Sequence, residues 1–129
     1  MGQRIEGGLP PVSGDPTYVE QVIRNLLANA VKYGRPQTPI QVAARLEADE
    51  VQVAVLDEGP GFPEGEADRL FELYYRSPAT ASHVSGSGIG LYVCARLLDA
   101  MGGRIWAANR PAGGAEFGFA LRVMPDDEA

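Results

Sequence analysis

Apolar residues recur at helical spacing through Val19, Val22, Ile23, Leu26, Leu27, Ala30 and Val31, which predicts an amphipathic helix. Asp15-Pro16 supplies its start, an acidic cap followed by a proline whose fixed φ suits the first turn, and Gly34-Arg35-Pro36 stops it. Two strand-like runs come next, Ile40–Leu46 and Val51–Leu56, around the polar hinge Glu47-Ala48-Asp49-Glu50. The alternation Val51, Val53, Val55 predicts a half-buried antiparallel hairpin. Residues 64–75 read as a short helix ending in Leu73-Tyr74-Tyr75, and 77–87 as a patternless mobile loop. Gly88-Ile89-Gly90-Leu91 leads into a helix through Met101, with Leu91, Ala95, Leu98 and Met101 on one side and Gly102-Gly103 as its end. Arg104–Ala108 and Glu116–Val123 are predicted strands around the turn Pro111-Ala112-Gly113-Gly114. Residues 1–14 are a lead-in without periodicity, with at most a short strand around Pro11–Ser13, and 124–129 are an acidic, frayed tail.

Hairpins adjacent in sequence, with helices between them, predict an α+β two-layer sandwich: a mixed, mainly antiparallel sheet with helices on one face. Strict β-α-β alternation is missing, so a doubly wound parallel sheet fits less well. The length of 129 residues reads as one domain, 1–129, which buries roughly two-thirds of its unfolded surface.

Composition narrows the chemistry. One thiol, Cys94, excludes an internal disulfide and a cysteine zinc cage, and one imidazole, His83, argues against a histidine metal site. A formal charge of −6 argues against nucleic-acid binding, and no apolar run is long enough to span a bilayer. The expectation is a monomeric cytoplasmic domain without membrane contact of its own. Ten of the eleven basic residues are Arg; Lys32 is the single lysine.

Three constellations carry chemistry. At about 100° per residue, Asn25, Asn29 and Lys32 share one sector of the first helix, where amide oxygens and an ammonium suit a hydrated Mg²⁺ and a phosphate tail. A solvated helix face is the plainer reading of that sector. Asp57-Glu58-Gly59-Pro60-Gly61 puts a carboxylate at a strand end, where it can accept from an exocyclic amine; an ordinary tight turn is the alternative. Gly86-Ser87-Gly88-Ile89-Gly90 opens a helix whose amides favour an anion, although it is neither a Walker A loop nor a Rossmann fingerprint.

Their order is more specific than any one of them. Asn25-Leu26-Leu27-Ala28-Asn29-Ala30-Val31-Lys32-Tyr33, then Asp57–Gly61, then Leu70-Phe71 through Tyr75-Arg76, then Gly86–Leu91 resembles the N, G1, F and G2 boxes of the catalytic ATP-binding domain of sensor histidine kinases. That family shares a superfamily with DNA gyrase, Hsp90 and MutL. The resemblance runs from about Val12 to Val123 and implies a Bergerat-type fold binding ATP and Mg²⁺. It implies that Asn29 holds the metal with Asn25 beside it, that Lys32 meets the phosphate chain and that Tyr33 lines the wall. It gives Asp57 the adenine amino group, with Gly59 and Gly61 shaping the cleft. Gly86, Gly88 and Gly90, with Leu91, would wrap the phosphates, and residues 62–87 would form a lid that orders around nucleotide. Arg76 is either a γ-phosphate contact or a solvated arginine, whereas Phe71 and Tyr75 read as lid packing and Trp106 and Cys94 as core.

The resemblance further implies γ-phosphoryl transfer to a histidine on a separate dimerisation domain, and a response regulator downstream. His83 lies in the lid and lacks the acceptor context, so it takes no catalytic role. Two other classes are an ATP-hydrolysing conformational switch and a transfer-inactive nucleotide-binding module. The hydrolysing relatives carry Glu four residues before the metal Asn; here that position is Asn25, an amide that cannot take a proton from water.

Overall fold

A computed structural model describes residues 2–5, 8–35, 37–72 and 89–124. Strand β1 (Gly2–Ile5) precedes helix α1 (Pro16–Tyr33), the hairpin β2 (Gln41–Glu47) and β3 (Glu50–Leu56), and a short 3-10 helix (Ala67–Phe71). Helix α2 (Gly90–Ala100) and the hairpin β4 (Arg104–Asn109) and β5 (Ala115–Arg122) complete the fold. The sheet order is β1-β2-β3-β5-β4; β1–β2 is the parallel pair and the others are antiparallel. This is the predicted α+β architecture with a mixed, mainly antiparallel sheet.

Helix α1 starts where its sequence dictates. Asp15 accepts the Thr17 amide at 2.8 Å, Pro16 occupies the first turn, and the Gly34 amide closes the last turn onto the Ala30 carbonyl. Its buried stripe, Val22, Leu26 and Ala30, joins Cys94 and Leu98 of α2 over the inward residues Val55, Phe117, Phe119 and Leu121 of the sheet. Inward and outward residues alternate along β3 and β5 as a pleated strand requires.

Several expectations change. The lead-in contains a strand, β1, which has no apolar alternation to announce it and exists through its pairing with β2; near Pro11–Ser13 only Val12 pairs, in one bridge to Val123. Of the helix expected over 64–75, residues 64–72 are described and hold a short 3-10 helix, because Gly65 takes φ +89° and no side chain caps the start. Trp106 is not core. It lies on the sheet face away from the helices, opposite Gly118, with its indole N–H on Glu116 at 2.8 Å and the Arg104 guanidinium 4.9 Å from the ring centroid. The loop at 77–87 and the tail 125–129 lie outside the described residues. Among the described residues no helix is long and apolar enough to cross a membrane.

Candidate nucleotide site

The second half of α1 carries one wall. Asn25, Asn29 and Tyr33 are half-buried along its flank and Lys32 is exposed in the last turn, where a cation also suits the helix dipole. Asn25 faces α2, close enough to the Cys94 thiol to influence its ionisation, and that thiol donates to the Val22 carbonyl at 3.8 Å. Burial pushes the Cys94 thiol up to about 11, with the Asn25 contact pulling the other way. Asn25 therefore belongs to the seam between the helices, and Asn29 and Lys32 continue the flank beyond it.

The floor is the loop after β3. Asp57 is only 3% exposed. Its Oδ1 accepts two backbone amides, Gly59 at 2.8 Å and Ala115 at 3.2 Å, while its own amide donates to the Ala115 carbonyl at 2.9 Å. One carboxylate oxygen is thus spent on the fold, and the other is the group available to an exocyclic amine. Gly59 is buried, and a side chain there would strike the Tyr33 carbonyl and Gly34, while a side chain at Gly34 would lie 3.4 Å from Asp57 Cβ. Glycine at these positions lets the end of α1 and the loop meet without a gap.

Two further residues of the floor carry no motif of their own in the sequence. Arg110 Nη1 donates to the Asp57 carbonyl at 2.8 Å. The Asn109 side chain accepts the Phe62 amide at 3.0 Å and donates to the Phe62 carbonyl at 2.8 Å. Gly61 takes φ +75°, and a side chain there would collide with Asn109. The only local signal is the glycine-rich turn at 111–114; nothing near it in sequence says which loop it faces.

The third constellation is partly described. Gly90 is exposed and begins α2, Leu91 is half-buried behind it, and no side chain caps this helix start. Its first amides therefore suit an anion. Gly86, Gly88, Tyr75, Arg76 and His83 lie outside the described residues. Of the expected lid, 62–72 is described, and it is packed rather than loose. The rings of Phe62 and Phe71 meet Phe117 at centroid distances of 6.2 and 6.4 Å, the second edge-on. Among the described residues no cluster of His, Cys, Asp or Glu could hold a metal ion.

Comparison with known proteins agrees with this geometry. The chain is 41% identical over 122 residues to the adaptive-response sensory kinase SasA of Nostoc sp., covering 94% of this chain and 30% of that protein. It therefore spans about a third of the length of the curated relatives it matches. Its fold superposes on the nucleotide-free catalytic domain of histidine kinase ThkA with a TM-score of 0.81 at 27% identity, over 95% of this chain and 79% of that one. Full-length ShkA in complex with AMPPNP gives 0.80 at 27% identity, over 95% of this chain and 26% of that one. The family model described as histidine kinase-, DNA gyrase B- and HSP90-like ATPase matches residues 14–125, and the chain belongs to that family.

Proposed function

We propose that this domain binds Mg-ATP and supplies the γ-phosphoryl group to a histidine on a separate dimerisation domain of a cytoplasmic two-component sensor kinase, which then serves a response regulator. The observation that carries the reading is Asp57, a buried carboxylate with one oxygen committed to two amides; its other oxygen would read adenine. The likeness to full-length ShkA bound to AMPPNP supports the ligand class.

In this reading Asp57, with Gly59 and Gly61, selects and seats the base, and Tyr33 lines the wall. Lys32 and the amides from Gly86 to Leu91 hold the phosphates, with Arg76 as a further contact to the γ-phosphate. Asn29, an amide with a hard oxygen, would hold Mg²⁺ together with the phosphates, and Asn25 stands beside it. Held there, Mg²⁺ would neutralise phosphate charge. The acceptor nitrogen attacks the γ-phosphorus with its lone pair, the bond from phosphorus to the β,γ-bridging oxygen breaks, and ADP leaves. Such transfer needs positioning and charge neutralisation more than a protein base, and Asn25 provides no such base. Amide in place of carboxylate at that position favours transfer over hydrolysis.

Two measurements test this. MgATP should raise the melting temperature of the wild-type chain, and the shift should vanish with EDTA. Mixing the domain with a cognate dimerisation fragment and γ-labelled ATP should move label to a histidine. Binding without any transfer leaves the nucleotide-binding module, and rapid hydrolysis by the unmodified chain favours the conformational switch.

A further inference from the structure

The turn between β4 and β5 grips the loop after β3 at both ends. We infer that Asn109 and Arg110 form a two-point clamp that positions the nucleotide loop: Arg110 sets the carboxylate of Asp57, and Asn109 fixes where the lid leaves the sheet. The inference rests on the nucleotide reading of this site and adds two residues that do not themselves meet the nucleotide.

Arg110 donates from a closed turn. Its own amide bonds the Gly114 carbonyl at 2.9 Å, and its carbonyl accepts the Gly113 amide at 3.0 Å. Gly114, at φ +96°, presses its backbone against Asp57, and a side chain there would overlap the Asp57 carbonyl. The guanidinium therefore meets that carbonyl from a fixed base, at 2.8 Å. This bond fixes the peptide plane between Asp57 and Glu58, and so the path to Gly59, whose amide holds Oδ1. Losing it would strand a carbonyl on a residue only 3% exposed and let the plane turn, carrying the carboxylate off its direction.

Asn109 acts at the other end. Its amide pairs with both backbone groups of Phe62, as a neighbouring strand would, immediately after Gly61. The Phe62 ring is held on Phe117. The main chain of the nucleotide loop is thus fixed up to Phe62 before nucleotide arrives. Without the Asn109 pair, binding would have to order this loop and would weaken.

The test uses the 129-residue chain, MgATP calorimetry and melting without nucleotide, on Asn109→Ala, Asn109→Asp, Arg110→Ala and Arg110→Lys. Each alanine variant should raise the MgATP Kd about tenfold, the scale of one charge-assisted or two neutral hydrogen bonds. Arg110→Lys, which can still donate, should recover most of the affinity; Asn109→Asp, which keeps the acceptor but not the donor, should fall between. Wild-type affinity in both alanine variants overturns the clamp. So does a loss at Arg110→Ala that lysine fails to restore while both variants melt alike. If an alanine variant unfolds at assay temperature, its lysine or aspartate counterpart decides by the same comparison. A wild-type chain that binds no MgATP overturns the nucleotide reading and the clamp together; normal wild-type binding with unaffected variants overturns the clamp alone.

Discussion

The reading proposed for Asp57 divides two jobs between its two oxygens, and substitution should separate them. In Asp57→Ala the amides of Gly59 and Ala115 lose their acceptor inside the protein. A stranded buried donor costs about 1–3 kcal/mol, so the pair costs about 2–6 kcal/mol from a total stability of about 5–15 kcal/mol. For a chain of this length that lowers Tm by about 7–22 °C. Asp57→Asn keeps one carbonyl oxygen with two lone pairs, enough for both amides, and should melt within about 1 kcal/mol of wild type. Its NH2 then stands where the free carboxylate oxygen stood, placing a donor against a donor on adenine. The expected pattern in melts with and without MgATP is a stable asparagine variant that ATP does not stabilise, beside an unstable alanine variant. An asparagine variant as unstable as alanine would refute the assignment of Oδ1 to the fold. An asparagine variant still stabilised by ATP would refute the assignment of the other oxygen to the base.

Gly114→Ala, at φ +96° with its new methyl against the Asp57 carbonyl, should cost more than about 2 kcal/mol by chemical denaturation, well above an exposed Gly113→Ala. Glu50 bonds Arg104 at 2.9 and 3.3 Å, and the Arg104 bond holds its carboxyl below the ordinary value. A depressed folded pKa stabilises above the unfolded value and is lost as pH falls through the folded one, so acid melts of Glu50→Gln should lose less stability than wild type below about pH 4.3. Cys94, buried and raised to about 11, should resist alkylation at pH 8 until denaturant opens the core, so that labelling tracks global unfolding; rapid native labelling would contradict its burial.

Local pattern controls the parts of the fold that are legible in the sequence. Helix α1 announces itself through Asp15-Pro16, a clean apolar stripe and Gly34, and the β2–β3 hairpin through its alternation. β1 is not legible, because a four-residue edge strand of mixed character exists only through its partner. Trp106 reads as core by residue type, yet the pleat puts Ile105 and Ala107 inward and the indole on the opposite face. At the site, Asp57 and its glycines are legible as a shaped loop. Asn109 and Arg110 are not, because the groups they hold lie 47 and 53 residues away and their turn looks ordinary.

The seam between α1 and α2 links that geometry to the chemistry open to the protein. Position 25 lies against Cys94, in surroundings that raise a thiol to about 11 by desolvation. A carboxylate there would meet the same penalty on its charged form, and to act as a base it must be ionised at neutral pH. A neutral amide carries no such charge and meets a smaller penalty. The residue proposed to withhold a base from water is thus also the one that packs between the helices, so the stability of the seam and the proposed preference for phosphoryl transfer over hydrolysis rest on the same side chain.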